Sequence, residues 1–228
     1  MCDGVGVRDD GLSASERRAL VAVAMQFFVN GAVGGSFVPR LPEIRDRSDI
    51  DVDTLGTLLA VAGAVGLIGS ASVGFAISTF GSQRVLVSSA VVLIGSLVLL
   101  GAADRIWLLL VGLSVFATFD VLVDSAMNLQ ASWISGRRRV PVLNRLHGLW
   151  SLGTVVGGVT ASQLAGAGVS LQTHLFVAAA VLLAAVAFVS RGLLRHDEQC
   201  GERDGPGGAV HDAEVAEASV ASPAPGTA

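Results

Sequence analysis

Six apolar runs, at residues 19–38, 54–77, 85–103, 106–134, 146–167 and 171–193, occupy most of this 228-residue chain and leave it few ways to fold. A helix needs about twenty predominantly apolar residues to cross a bilayer core, and each run supplies roughly that number or more. In lipid every backbone amide must be satisfied within its own segment or in a closed barrel. Runs that are apolar all round, without a polar face, fold as spanning helices. Hydrophobic residues make up 52 % of the chain and charged ones 15 %, and the charges collect between the runs. A soluble domain of this length would alternate apolar and polar faces. The sequence therefore predicts an all-α membrane protein embedded in the lipid bilayer.

The connectors carry the turn formers and most of the charge: residues 39–53, 78–84, 104–105 and 136–145. With the N-terminus inside, one side collects eleven arginines (8, 17, 18, 84, 137, 138, 139, 145, 191, 195 and 203). The other side holds Arg40, Arg45, Arg47 and Arg105, offset by Glu43 and five aspartates. Basic residues stay on the cytoplasmic side, so both termini are expected there, in a cytoplasmic membrane. The first run follows three arginines, contains Gln26 and Asn30, and lacks a small-residue cleavage site, which favours a first span over a removed leader. Residues 1–18 read as a cytoplasmic tail, 19–195 as the membrane domain, and 196–228, rich in Asp, Glu, Gly, Ala, Ser and Pro, as a disordered tail or linker. The two cysteines, Cys2 and Cys200, lie in opposite tails, so neither a disulfide framework nor a metal site is expected. No cofactor motif occurs, and a net charge of −4 spread over loops suggests no nucleic-acid partner.

Within the apolar runs a few polar residues stand out. Asp120 and Asp124 lie four residues apart in the fourth run, and Asn128 extends their stripe. A carboxylate at bilayer depth costs about 2.5–3.5 kcal/mol and survives mainly against the protein interior, a water-filled path or a partner charge. Two carboxylates on one face, one turn apart, should not both ionise easily, which suits a proton-coupled carrier. A stripe that anchors the fourth span by hydrogen bonds would look the same. Gln26 and Asn30 form a second i, i+4 pair in the first run, fit either for solute contact or for interhelical hydrogen bonding. Small-xxx-small rows recur at Gly31/Gly35, Gly66/Ser70/Gly74 and Gly153/Gly157, as close helix packing requires.

Four segments in order resemble the major facilitator superfamily, in a branch distantly similar to fucose permease. They are Phe27-Phe28-Val29-Asn30-Gly31; Arg40-Leu41-Pro42-Glu43-Ile44-Arg45; Asp124-Ser125-Ala126-Met127-Asn128-Leu129-Gln130; and His147-Gly148-Leu149-Trp150-Ser151-Leu152-Gly153. The resemblance covers about residues 19 to 195. It implies six transmembrane helices arranged as one half, a 3+3 inverted repeat, of a twelve-span carrier that moves a small solute by alternating access. It also implies a second six-span half, as a separate chain or a second copy. Asp124, Asp120, Asn128, Gln26 and Asn30 would then line the pathway or couple protons. His147, Arg40 and Arg84 are candidate gating or interface positions, although an Arg/Glu cluster such as 40–45 is more often a solvated loop. In the loop between the second and third spans, Ser78 stands where the family usually has an acidic residue. A non-transporting membrane interaction protein or a remnant of a carrier is the alternative. An intramembrane protease is disfavoured, because no G-x-S-G nucleophile motif occurs and both aspartates share one helix.

Overall fold

The computed structural model describes residues 14–138 and 141–193, and every regular element among them is helical. Helix α1 (Ala14–Phe37) passes through a 3-10 turn (Val38–Arg40) into the short α2 (Leu41–Arg47). Then follow α3 (Val52–Ser70), α4 (Val73–Phe80), α5 (Ser82–Ala102), α6 (Ile106–Arg138), α7 (Leu143–Gly166) and α8 (Leu171–Val189). The expected tail at 196–228, both cysteines and the expected cytoplasmic segment 1–13 lie outside the described residues.

Five stretches are long and apolar enough to cross a membrane: Ser15–Arg47, Val52–Ser70, Ser82–Ala102, Ile106–Gly136 and Leu171–Val189. At the expected fifth span stands α7, a helix of 24 residues that is not among these five. At ~1.5 Å per residue α6 is roughly 50 Å long, more than a bilayer core needs, so it must tilt or protrude.

Three expectations are corrected. Residues 39–53 are not an open connector: the prolines expected to make turns instead stand in the first turns of the 3-10 segment and of α2. Proline suits that position because its missing N–H would have no helical partner anyway. The run 54–77 is not one continuous helix but breaks after Ser70. There the Ser70 and Ser72 hydroxyls donate back to the Leu67 and Gly69 carbonyls, both at 2.6 Å, in a Gly-Ser-Ala-Ser sequence prone to such breaks. The loop 78–84 shrinks to Gly81, whose φ of 80° lets α4 turn directly into α5. At the start of α3, Asp51 accepts from the Thr54 amide at 2.7 Å, and its hydrogen bonds with Thr54 hold the carboxyl below the usual range.

Helix α1 is central, packed on α7, α8, α6 and α5, while α6 also packs on α5 and α3, and α5 on α8. The interior is built from Val23, Phe27, Val33 and Phe37 of α1, Leu86 to Leu100 along α5, and Leu109, Val123 and Met127 of α6. Phe37 and Phe116 meet edge-on with ring centres 4.8 Å apart. The α1–α7 seam is closest of all: a Cβ built on Gly31 would lie 2.0 Å from the Trp150 carbonyl oxygen, and one on Gly153 2.1 Å from that of Phe28. Gly35 and Gly157 meet the opposite backbone in the same way. Thus both rows, Gly31/Gly35 and Gly153/Gly157, serve one contact. Of the third row only Gly66 does so, against Ala117 of α6; Ser70 is exposed and Gly74 has open space around it.

Replacing Gly31 or Gly153 by valine is expected to destabilise the helix bundle by ~3 kcal/mol or more, because backbone rather than a movable side chain blocks the added atoms. Gly34, where an added methyl group would meet nothing within 4 Å, should accept alanine without loss. Thermal unfolding midpoints of the detergent-solubilised variants measure the difference.

Candidate functional site

The polar residues of α1 and α6 come together. Asn30 is buried on α1 and donates its Nδ2 to Asp120 Oδ1 on α6 at 3.3 Å. Gln26, one turn earlier on α1, is buried as well, at 1 % exposure. Asp120 is half-buried, whereas Asp124 is exposed on the surface of the bundle. Four residues advance a helix by about 400°, so the two carboxylates are offset by ~40° around α6. That offset is enough to place one against α1 and leave the other open.

Helix α7 supplies the third side. His147, exposed on its first turns, stacks edge-on against Phe27 of α1 with ring centres 5.4 Å apart. It is also within electrostatic reach of Asp124, as is the amide of Asn128. Asn128 is half-buried and its carbonyl oxygen has no hydrogen-bond partner; the same is true of the Asn30 carbonyl oxygen. Six of the expected residues therefore share one region: Gln26, Asn30, Asp120, Asp124, Asn128 and His147.

Arg40 and Arg84 lie elsewhere. Arg84 is exposed on the first turn of α5 with no ion pair among the described residues. Arg40 is not in a solvated loop; it is 2 % exposed. Its Nε donates to Glu43 at 2.8 Å and its Nη2 to the Val169 carbonyl, also at 2.8 Å, in the turn between α7 and α8. Glu43 in turn accepts from the Leu171 amide, at the start of α8, at 3.2 Å. The pair fastens the α1–α2 junction to the α7–α8 turn. His174, buried on the first turn of α8, lies within electrostatic reach of both. Arg45, in contrast, pairs only with its exposed neighbour Asp46.

One buried polar contact between helices was missed by reasoning from sequence. Gln130 is fully buried and donates to the Ser82 hydroxyl at 2.8 Å, tying α6 to the start of α5. Its spacing carries the signal: two residues beyond Asn128 is about 200° around the helix, so Gln130 faces away from the aspartate stripe.

Arg40→Ala should lower stability by ~2 kcal/mol, since it removes the buried donor that ties α1 to the part-buried Val169 carbonyl, while the half-exposed Glu43 recovers solvation. Glu43→Gln should cost less, because its carbonyl can still accept from Leu171. Melting midpoints in detergent test the order of the two variants.

Comparison with known proteins agrees with this architecture. The family model described as Major Facilitator Superfamily matches residues 23–222. The chain is 28 % identical over 181 residues to membrane protein MosC of Rhizobium meliloti, covering 79 % of this chain and 43 % of that protein. It is 30 % identical over 135 residues to an uncharacterized transporter of Sinorhizobium fredii, covering 59 % and 36 %. A third relative, an uncharacterized MFS-type transporter of Yersinia pestis, is 25 % identical over 186 residues, covering 82 % and 48 %. The chain thus spans less than half the length of each of these relatives. No solved structure matches it.

Proposed function

The chain belongs to the major facilitator superfamily, and from that premise we propose that it forms one wall of a secondary transporter. That wall is a six-span half that moves a small solute by rocking against a second six-span unit. The second unit is a separate chain, a second copy, or a further part of the same polypeptide. The convergence of Asn30, Asp120, Asp124, Asn128 and His147 from three helices carries the reading, because a bundle built only to pack would not gather its costly intramembrane polar groups in one place.

The helix contacts support the 3+3 inverted repeat as well. Exchanging α1 with α6, α3 with α7 and α5 with α8 turns the α1–α7 seam into the α6–α3 seam, and α5–α6 into α8–α1. Pairs α5–α8 and α1–α6 map onto themselves, and both of the exchanged α1–α7 and α3–α6 seams use glycines. Under this reading Asn30 and Asp120 meet where the two inverted repeats of the half meet, and solute is held near the midplane between this half and the second one. Asp124, open to the wall and faced by His147, is the group we assign to proton coupling. The arginine distribution supports a cytoplasmic-membrane location with both ends of the domain inside.

Asp124→Asn, made in the native membrane, should abolish proton-driven uptake or efflux while leaving the amount of protein unchanged. Transport that continues at the same rate in that variant removes Asp124 from the coupling step.

A further inference from the structure

The buried polar atoms left without a partner at the α1–α6 stripe are both carbonyl oxygens. Asn30 gives its amide nitrogen to Asp120, and a carboxylate only accepts, so the Asn30 carbonyl is turned away from the pair. That oxygen is buried without a partner, on a residue 5 % exposed. Two turns along, beside Asp124, the Asn128 carbonyl oxygen is likewise buried and unpartnered. Asp120 and Asp124 add carboxylate oxygens of their own. The groups that act on these two carboxylates are each other, the two amides and His147; no arginine is among them. Arg40 is bound to Glu43, and neither Arg84 at the start of α5 nor Arg145, two residues before His147 on α7, acts on either carboxylate.

Buried acceptors without donors are costly, and a carboxylate at membrane depth calls for a countercharge. An anionic solute would meet two amide carbonyls and two carboxylates. A sugar hydroxyl brings lone pairs with every donor. An ammonium or guanidinium brings donors only, together with positive charge. We infer that this wall selects cationic nitrogen solutes, primary amines or guanidines, whose N–H groups are received by Asn30 Oδ1, Asn128 Oδ1, Asp120 and Asp124. The inference rests on the transporter reading above and narrows it to a substrate class.

The test uses inside-out and right-side-out membrane vesicles from the native cells, which supply the second six-span unit, with vesicles from cells lacking the gene as control. Both are given a carbon-13-labelled extract of bacterial cytosol, which contains amines, neutral polyols and organic acids together, and the accumulated solutes are identified by mass spectrometry. Labelled amines or guanidines should accumulate above control. Asp124→Asn should lower that accumulation by roughly tenfold or more, as loss of a desolvated charge partner does. Asp120→Asn, which keeps its side-chain shape and can still bond Asn30, should lower it too at equal protein level. Accumulation confined to neutral or anionic solutes overturns the inference and leaves the transporter reading standing. If the protein moves no labelled solute in either orientation, both fall.

Discussion

Everything at the candidate site depends on how closely α1 and α7 approach. Lipid tails are as apolar as leucine, so no hydrophobic drive presses two spanning helices together; dispersion and hydrogen bonds must do it. Those forces fade within about an ångström of lost contact, and a single methyl group on either backbone would supply that gap. Gly31 and Gly35 on one side and Gly153 and Gly157 on the other remove the Cβ atoms where the two backbones touch. With the backbones in contact, Phe27 reaches the His147 ring, and α7 comes to the same side of α1 as the exposed carboxylate of α6. The glycine that follows Asn30 is itself part of the seam, so the residue that contacts α7 and the residue that contacts Asp120 are neighbours in the chain.

A second restraint holds the far end of α1. The Arg40 guanidinium reaches a carbonyl of the α7–α8 turn, and Glu43 closes onto the first amide of α8. A helix start leaves its first amides unsatisfied, and a carboxylate placed there meets both the donors and the favourable end of the helix dipole. Glycines along the length and an ion pair at the end thus fix α1 against α7 and α8 by different physics. The first works through the absence of side chains and the second through a buried charge that has few other partners.

Much of this was legible in the sequence, and the parts that were not have specific causes. Most of the spans follow from hydropathy, and the glycine rows mark close packing without saying which helices meet. The third row was misleading, because spacing says nothing about whether the helix continues. Serines 70 and 72 end α3 in the middle of that row by bonding back to their own backbone. Arg40 was misjudged for a related reason. Prolines on either side suggest a turn, yet proline at a helix start is as compatible with helix as any residue, and the turn that buries Arg40 lies some 130 residues away, beyond the reach of local pattern. The Asn30–Asp120 bond could be suspected from two i, i+4 polar pairs, but only the tertiary fold turns them toward each other.

The two aspartates illustrate how far spacing alone can go. On a helical wheel they are near-equivalent, and both face the same general direction. The remaining ~40° between them is resolved by what each meets. Asp120 is held by an amide from α1 and is half-buried, so its carboxylate has a fixed position and a defined partner. Asp124 stays open, with Asp120, His147 and the Asn128 amide close enough to act on it. A fixed carboxylate can orient its surroundings, whereas an open one can exchange its proton or its partner without breaking a contact between helices. On the proposed reading this divides the work of the stripe. Asp120 keeps α1 and α6 in register, and Asp124 can change state because Asp120 does not have to.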